Sequence, residues 1–321
     1  MHPRLGLLLI LALGIFAIAT SFYLPFLNSI LLGLFLGLLI GNIFEIKSKF
    51  DDGIKYASKN FLEFSIVFLA FGVNITHLNA LGWQSLIIVV INVFALILLT
   101  IFLAKYFKCP SSIGWLVGFG TTICGSSAIA ALAPSIKQNK EDIGISMAVI
   151  NLYGTLGMII LPFVLNELAI DDKMTSILIG GSLHAVGHVV GGAFGLSDAI
   201  GEQALTIKMA RVALLGPAII FFNLMTNHKQ KSSILQKLSL PWYVWSFIAI
   251  SILVSFVDMP KSILSWTSEI GKILLTLAMI AIGIKVRLKD LLNSGQRGLI
   301  FGAVIFFIQL ILLTLLTLIF Y

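Results

Sequence analysis

Charge is what this chain has least of. Asp, Glu, Lys and Arg make up 11% of its 321 residues, against 59% hydrophobic. A soluble domain carries roughly a quarter charged residues, so there are too few polar side chains here to cover a water-facing surface. Acidic residues are the scarcer kind, 14 against 21 basic. None falls in the middle of the fifth, sixth, seventh or tenth apolar run described below. A cation carrier built on a buried carboxylate pair would need one there, so an anion or a neutral solute is favoured. No G-x-x-x-x-G-K-[ST] loop occurs, which excludes ATP-driven transport by this chain itself. The two cysteines, Cys109 and Cys124, are expected in a loop and in a membrane segment, and therefore unbridged. No cluster of Cys, His and carboxylate has metal-ligand spacing. No metal or other cofactor is expected.

What the chain has instead is apolar length. Eleven segments emerge, about 5–20, 26–44, 60–77, 84–104, 112–136, 142–166, 175–195, 205–227, 241–257, 269–286 and 297–320, several of them the roughly 20 residues a bilayer demands. They do not alternate as barrel strands do, so the fold class is an all-α polytopic membrane protein with the lipid bilayer as its solvent. Residues 1–20 could be read as a signal peptide, but a retained first helix is expected. The connections are short, 228–240 among the longest, and a single transmembrane domain follows. The net charge of +7 could suggest nucleic acid. Placing the N-terminus in the cytoplasm, however, puts fifteen of the 21 Lys and Arg on that side, among them Arg4, Lys47, Lys49 and Lys285. That is the positive-inside bias, with the C-terminus outside and no nucleic-acid partner.

One stretch does not suit a lipid-facing helix: Gly120-Thr-Thr-Ile-Cys-Gly-Ser-Ser-Ala-Ile-Ala-Ala-Leu-Ala-Pro134. Thr121, Thr122, Ser126 and Ser127 crowd four hydroxyls around Gly120 and Gly125. A break at Gly125 would leave free backbone N–H groups at a half-helix start, which favours an anion. Irregular backbone at membrane depth is tolerated where it lines a cavity or is buried in protein. Close packing of small residues is the structural alternative.

A second stretch, Gly180-Gly-Ser-Leu-His-Ala-Val-Gly-His-Val-Val190, sets His184 and His188 four apart on one helical face. Ionisable groups at this depth are costly and commonly face a cavity or a proton path, and histidine changes charge near neutral pH. A structural His bonded to a neighbouring helix is the alternative. Lys208 and Arg211 open the eighth segment, either drawing an anion inward or snorkelling to the interface. Gly33, Gly37 and Gly41 form a close-packing face, within the chain or as a homodimer contact. A weak likeness between Leu62–Ile75 and Ile273–Val286 hints at inverted repeats.

The motifs GTTICGSSAIAALAP (120–134), AVINLYGTLGMIILP (148–162), GGSLHAVGHVV (180–190) and KMARVALLGP (208–217) resemble the YeiH-type family of uncharacterised bacterial membrane proteins, often labelled sulfate exporters. Ala57–Ile75 and Lys272–Leu288 match as well, so the likeness covers nearly the whole chain. The family is grouped with the bile-acid symporter and cation/proton antiporter superfamily. That resemblance implies inverted five-helix repeats, here 26–166 and 175–320 after the extra helix 1–20, and two crossing broken helices, which would be segments five and ten. It also implies a bacterial inner-membrane location. In this family the second motif usually reads Ile-His-Asp followed by Ala-Gln-Val-Val. Here His184 is kept, Ala185 replaces the acid and His188 stands where Gln is usual. Any role of that acid in proton coupling or substrate choice is lost or moved to His188.

The combined reading is a secondary transporter, an exporter of a small inorganic or organic anion such as sulfate or sulfite, working by alternating access and coupled to protons. Thr121, Thr122, Gly125, Ser126, Ser127, His184 and Arg211 are the candidate substrate ligands, and His184 and His188 the candidate proton carriers. Two other classes remain open: a membrane-embedded enzyme pairing Ser126 or Cys124 with His184, and a passive anion channel.

Overall fold

The computed structural model describes residues 4–21, 23, 29–44, 46–72, 82–107, 109, 111–136, 140–226, 241–257, 259–286 and 296–321. The connection 228–240 and the ends of the matching stretches at Ile75 and Leu288 lie outside these residues. Every described element is helical, and the described part of each of the eleven apolar segments is a helix or a run of successive helices. Among the described residues, five helices are long and apolar enough to cross a bilayer unaided: α1 (Arg4–Ser21), α5 (Trp83–Tyr106), α8 (Lys140–Glu167), α14 (Lys261–Lys285) and α15 (Gln296–Phe320). The pair α11 (Asp198–Ala213) and α12 (Leu215–Met225), bent by 46° at Leu214, passes the same test together and makes a sixth if it is one span. Two shorter apolar helices, α2 (Ser29–Ile43) and α13 (Trp242–Phe256), accompany them. Large apolar side chains such as Phe16, Phe102, Phe163, Phe256 and Phe307 point outward, as they do where lipid rather than water is the neighbour.

The remaining segments are interrupted. Segment three runs from α3 (Asp51–Tyr56) through a π-helical turn at Ala57–Phe61 into α4 (Leu62–Leu69). Segment five is α6 (Ser111–Thr122) and α7 (Ser126–Leu132), and segment seven is α9 (Asp172–Ser182) and α10 (Val186–Ala193). Two broken helices are therefore present, but the partner of segment five is segment seven. Segment ten, α14, is a continuous helix of 25 residues. Its glycines serve close approach instead of a break: a methyl group on Gly283 would run into the backbone of Leu34 and Leu38.

The helices sort into two bodies by what they pack against. One contains α1–α4, α13 and α14; the other contains α5–α12 and α15. Between them the packing is sparse, mainly α10 against α2 and α14 and α11 against α13. On the seam an ion pair joins Lys272 Nζ of α14 to Asp198 Oδ2 of α11 at 2.7 Å.

The first body is held by the seam of α2 on α14. A methyl at Gly37 would meet the carbonyl of Ile280, and one at Gly41 the carbonyl of Ile284. The glycine face of α2 is thus filled within the chain. Gly37→Ala is expected to push the two helices apart and cost about 1–3 kcal/mol, readable as a lower thermal unfolding temperature in detergent. An unchanged midpoint would mean that the seam yields freely. Cys109 and Cys124 are both free and buried.

Candidate functional site

The two breaks meet. Gly125 takes φ +73° and ψ −128°, a conformation side-chain-bearing residues rarely adopt, and this turns the chain between α6 and α7. A Cβ there would lie 3.2 Å from Ile150 Cγ2 and 3.6 Å from the carbonyl group of His184. In the other break, Leu183 and Ala185 are extended, with ψ of 144° and 156°. Each break ends one half-helix, leaving carbonyls without intrahelical donors and a partial negative charge at its C-terminus.

Lys208 and Arg211, three apart on α11, answer those carbonyls. Lys208 Nζ donates to Ile123 O at 2.7 Å, Leu183 O at 2.8 Å and His184 O at 2.6 Å. Three bonds use all three protons of an ammonium group. Arg211 Nη2 donates to Thr121 O and Thr122 O at 2.7 and 2.8 Å, and Nη1 to Gly180 O and Leu183 O at 3.1 Å each. Both side chains are 0% exposed, so neither snorkels. The two cations neutralise the C-terminal ends of α6 and α9 together and fasten both breaks to α11.

The opposite ends of the breaks are treated differently. The first N–H groups of α7 and α10 have no intrahelical acceptor, and the N-cap of α10, Ala185, makes no side-chain cap bond. Beside them lies a cleft on the seam between the two bodies. Its inner lobe, about 360 Å³, is lined by Ser126, Asn151, Thr155, Ala185, Gly187 and His188 of the second body and by Ser58 and Lys285 of the first. A second lobe of about 470 Å³ shares Ser58, Ser126, Gly187 and Lys285 and continues past Ser127, Cys124, Tyr243 and Glu63 to the exposed Lys55 and Lys59. The one carboxylate there, Glu63, accepts a bond from Trp242 Nε1 at 2.7 Å. Thr155 Oγ1 is buried and has no hydrogen-bond partner among the described residues.

The expected site residues therefore divide. Ser126, Ser127 and His188 line the cleft, with Gly125 at the turn behind them. Thr121 and Thr122 are fully buried, their hydroxyls bonded to Val117 O and Gly118 O one turn back. Arg211 holds their carbonyls. His184 is 1% exposed, with its ring 5.1 Å from Phe306 and with no partner for Nδ1 among the described residues. Cys124 Sγ lies 2.9 Å from Ser127 Oγ. His188 caps α10, because its Nδ1 accepts the Ala185 N–H at 3.2 Å. This is the bond that Gln makes at the third position of a capping box, which explains how His can stand in the place of Gln. The sequence reading missed Lys285, Ser58 and Thr155. Lys285 looked like a topology signal, and Ser58 and Thr155 lie outside the motifs singled out above. The π-helical turn that carries Ser58 is of a kind often found at functional sites.

Apolar spans, two interrupted helices meeting in the interior and a polar cleft between two helical bodies define a multi-pass α-helical membrane protein. The chain belongs to the family described as Conserved hypothetical protein 698, whose model matches residues 5–302. It is 29% identical to a UPF0324 membrane protein of Clostridium perfringens, over 95% of this chain and 93% of that one. A UPF0324 membrane protein of Staphylococcus aureus strain COL is 30% identical over 93% of this chain and 91% of its own length. Among solved structures, a sodium/proton antiporter of Methanocaldococcus jannaschii aligns with 92% of this chain and 98% of that chain, at 16% identity and a TM-score of 0.29. A score that low carries no argument.

Proposed function

We propose that the protein is a secondary transporter that binds a small anion in this cleft and moves it by displacement of one helical body against the other. The observation that supports this reading is the asymmetric treatment of the broken helices. Their negative ends are neutralised by Lys208 and Arg211, while the first N–H groups of α10, at Val186 and Gly187, receive no cap from the Ala185 side chain in a cleft that contains Lys285. Backbone donors and a lysine favour negative charge. A binding site on the seam of two bodies suits alternating access, because a rocking motion exposes it to either side.

In this reading the anion is held by Ser126, Ser127, the N–H groups at Val186 and Gly187, and Lys285. Thr121, Thr122 and Arg211 hold the breaks in shape, and His184 packs the crossing from behind. His188 is the proton-responsive group, since a proton on Nδ1 would oppose the Ala185 N–H that it now accepts. The positive-inside assignment makes the Lys55 and Lys59 side cytoplasmic, so this conformation faces inward, as an exporter loading its cargo would.

Uptake and efflux of labelled sulfate, sulfite and small carboxylates in proteoliposomes test the reading. Lys285→Gln is expected to weaken anion binding about tenfold, the size of one charge-assisted hydrogen bond at a partly solvated position. Binding that is indifferent to this change would move the anion elsewhere. Absence of any anion flux or binding would overturn the reading as a whole.

A further inference from the structure

The polar lobe has an apolar neighbour. A cavity of about 490 Å³ lies between α2 and α8, lined by Phe35, Leu38, Leu39, Leu152, Leu156 and Ile159. It shares Thr155 and Val286 with the inner lobe of the anion cleft, so the two spaces meet at those residues. The polar groups at its border are few. Asn42 Nδ2 is engaged with the carbonyls of Leu38 and Val286 at 2.9 and 2.8 Å, and Thr155 Oγ1 is the unpartnered atom at the junction. Both cavities lie on the seam, with α2 and the end of α14 on one side and α8 on the other. A small inorganic oxyanion would use the polar lobe and leave the apolar one without purpose.

We propose that the substrate is amphipathic: a compact anionic head beside Lys285 and the start of α10, joined to an unbranched hydrocarbon tail in the cavity between α2 and α8. The proposal rests on the anion reading of the cleft and narrows its substrate class. The unpartnered Thr155 hydroxyl stands where head and tail join, and it supplies a hydrogen bond to the acid group as the tail passes. Leu39 and Leu156 are 55% and 39% exposed, so the tail reaches its cavity from the lipid side while the head remains in the polar lobe. An apolar pocket with a few convergent polar groups at one end is the usual design of a small-molecule site.

The test uses the whole protein in lipid nanodiscs, with empty discs subtracted, titrated with sulfate and with ethane-, butane-, hexane- and octanesulfonate below their micelle concentrations. Affinity is expected to rise by up to about fourfold for each methylene added, the effect of moving one CH₂ from water to an apolar site. Leu156→Trp, which fills the tail cavity from α8, is expected to bring hexane- and octanesulfonate down to the affinity of ethanesulfonate. Leu39→Trp should do the same from α2 and stands in if the first variant does not fold. A series with no chain-length dependence, sulfate included, would overturn the tail and leave the anion cleft standing. A gradient that survives both tryptophans places the chains in lipid and also overturns it. If no anion binds at all, the cleft reading and this proposal fall together.

Discussion

Arg211→Met is expected to destabilise the protein by at least about 3 kcal/mol, the range found when one member of a buried charged network is removed. The substitution keeps much of the volume and deletes every donor. Carbonyls of Thr121, Thr122, Gly180 and Leu183 would lose the bonds now formed. An acceptor left buried and unpaired costs roughly 1–3 kcal/mol, and two half-helix C-termini would face each other with one cation fewer between them. Arg211→Lys should fall between the two, because an ammonium group keeps the charge but cannot fork across both breaks. Thermal unfolding in detergent gives the ranking. A Met variant that melts with the wild type would refute the role of Arg211 as the pin of the crossing.

Ala185→Asp should move stability and function in opposite directions. Ala185 is the N-cap of α10 and makes no side-chain bond. Asp at an N-cap accepts from the N–H groups of the first turn and stabilises a helix by about 1 kcal/mol. Here the gain in stability would occupy the donors proposed for the anion and place a negative charge in the cleft, so anion affinity should drop at least about tenfold. Calorimetric titration and a melting curve on the same preparation read both effects. If the variant is more stable and binds anions as before, the start of α10 is not where the anion sits. In the family that the sequence motifs resemble an acid is usual at this position, so the substitution also tests what the departure at Ala185 does.

The sequence revealed the class of the fold and the first break more clearly than the second. Gly125 announces its turn, since glycine among hydroxyls in an apolar run has few other reasons to be there. The second break uses ordinary residues, Leu183 and Ala185, in extended conformation, which is affordable only because Lys208 and Arg211 receive the freed carbonyls from 24 to 31 residues away. Such long-range compensation leaves no local pattern. The same distance effect hid the partners of Arg211: a cation in an apolar segment resembles a ligand or an interface anchor until the carbonyls around it are seen. The partners of Thr121 and Thr122 are local instead. Their hydroxyls are satisfied within their own helix, as threonine in a membrane helix commonly is. Lys285 was legible as a charge, and its position in the cleft follows from the way α14 lies against α4 and α2.

Lys208 and Arg211 have a consequence for energetics at the scale of the whole membrane. They are fixed charges with only carbonyl partners among their hydrogen bonds, and they ride on the same body as both broken helices. In the proposed cycle, a shift of that body relative to the bilayer would carry them through the transmembrane field. A full elementary charge carried across the whole field is worth about 2.3 kcal/mol per 100 mV, and these two would contribute in proportion to the depth they travel. A bound anion cancels part of that displacement. The empty and the loaded protein should therefore respond differently to voltage, so the membrane potential can set the rate at which the empty form returns, while the direction of net flow follows the electrochemical gradient of the cargo.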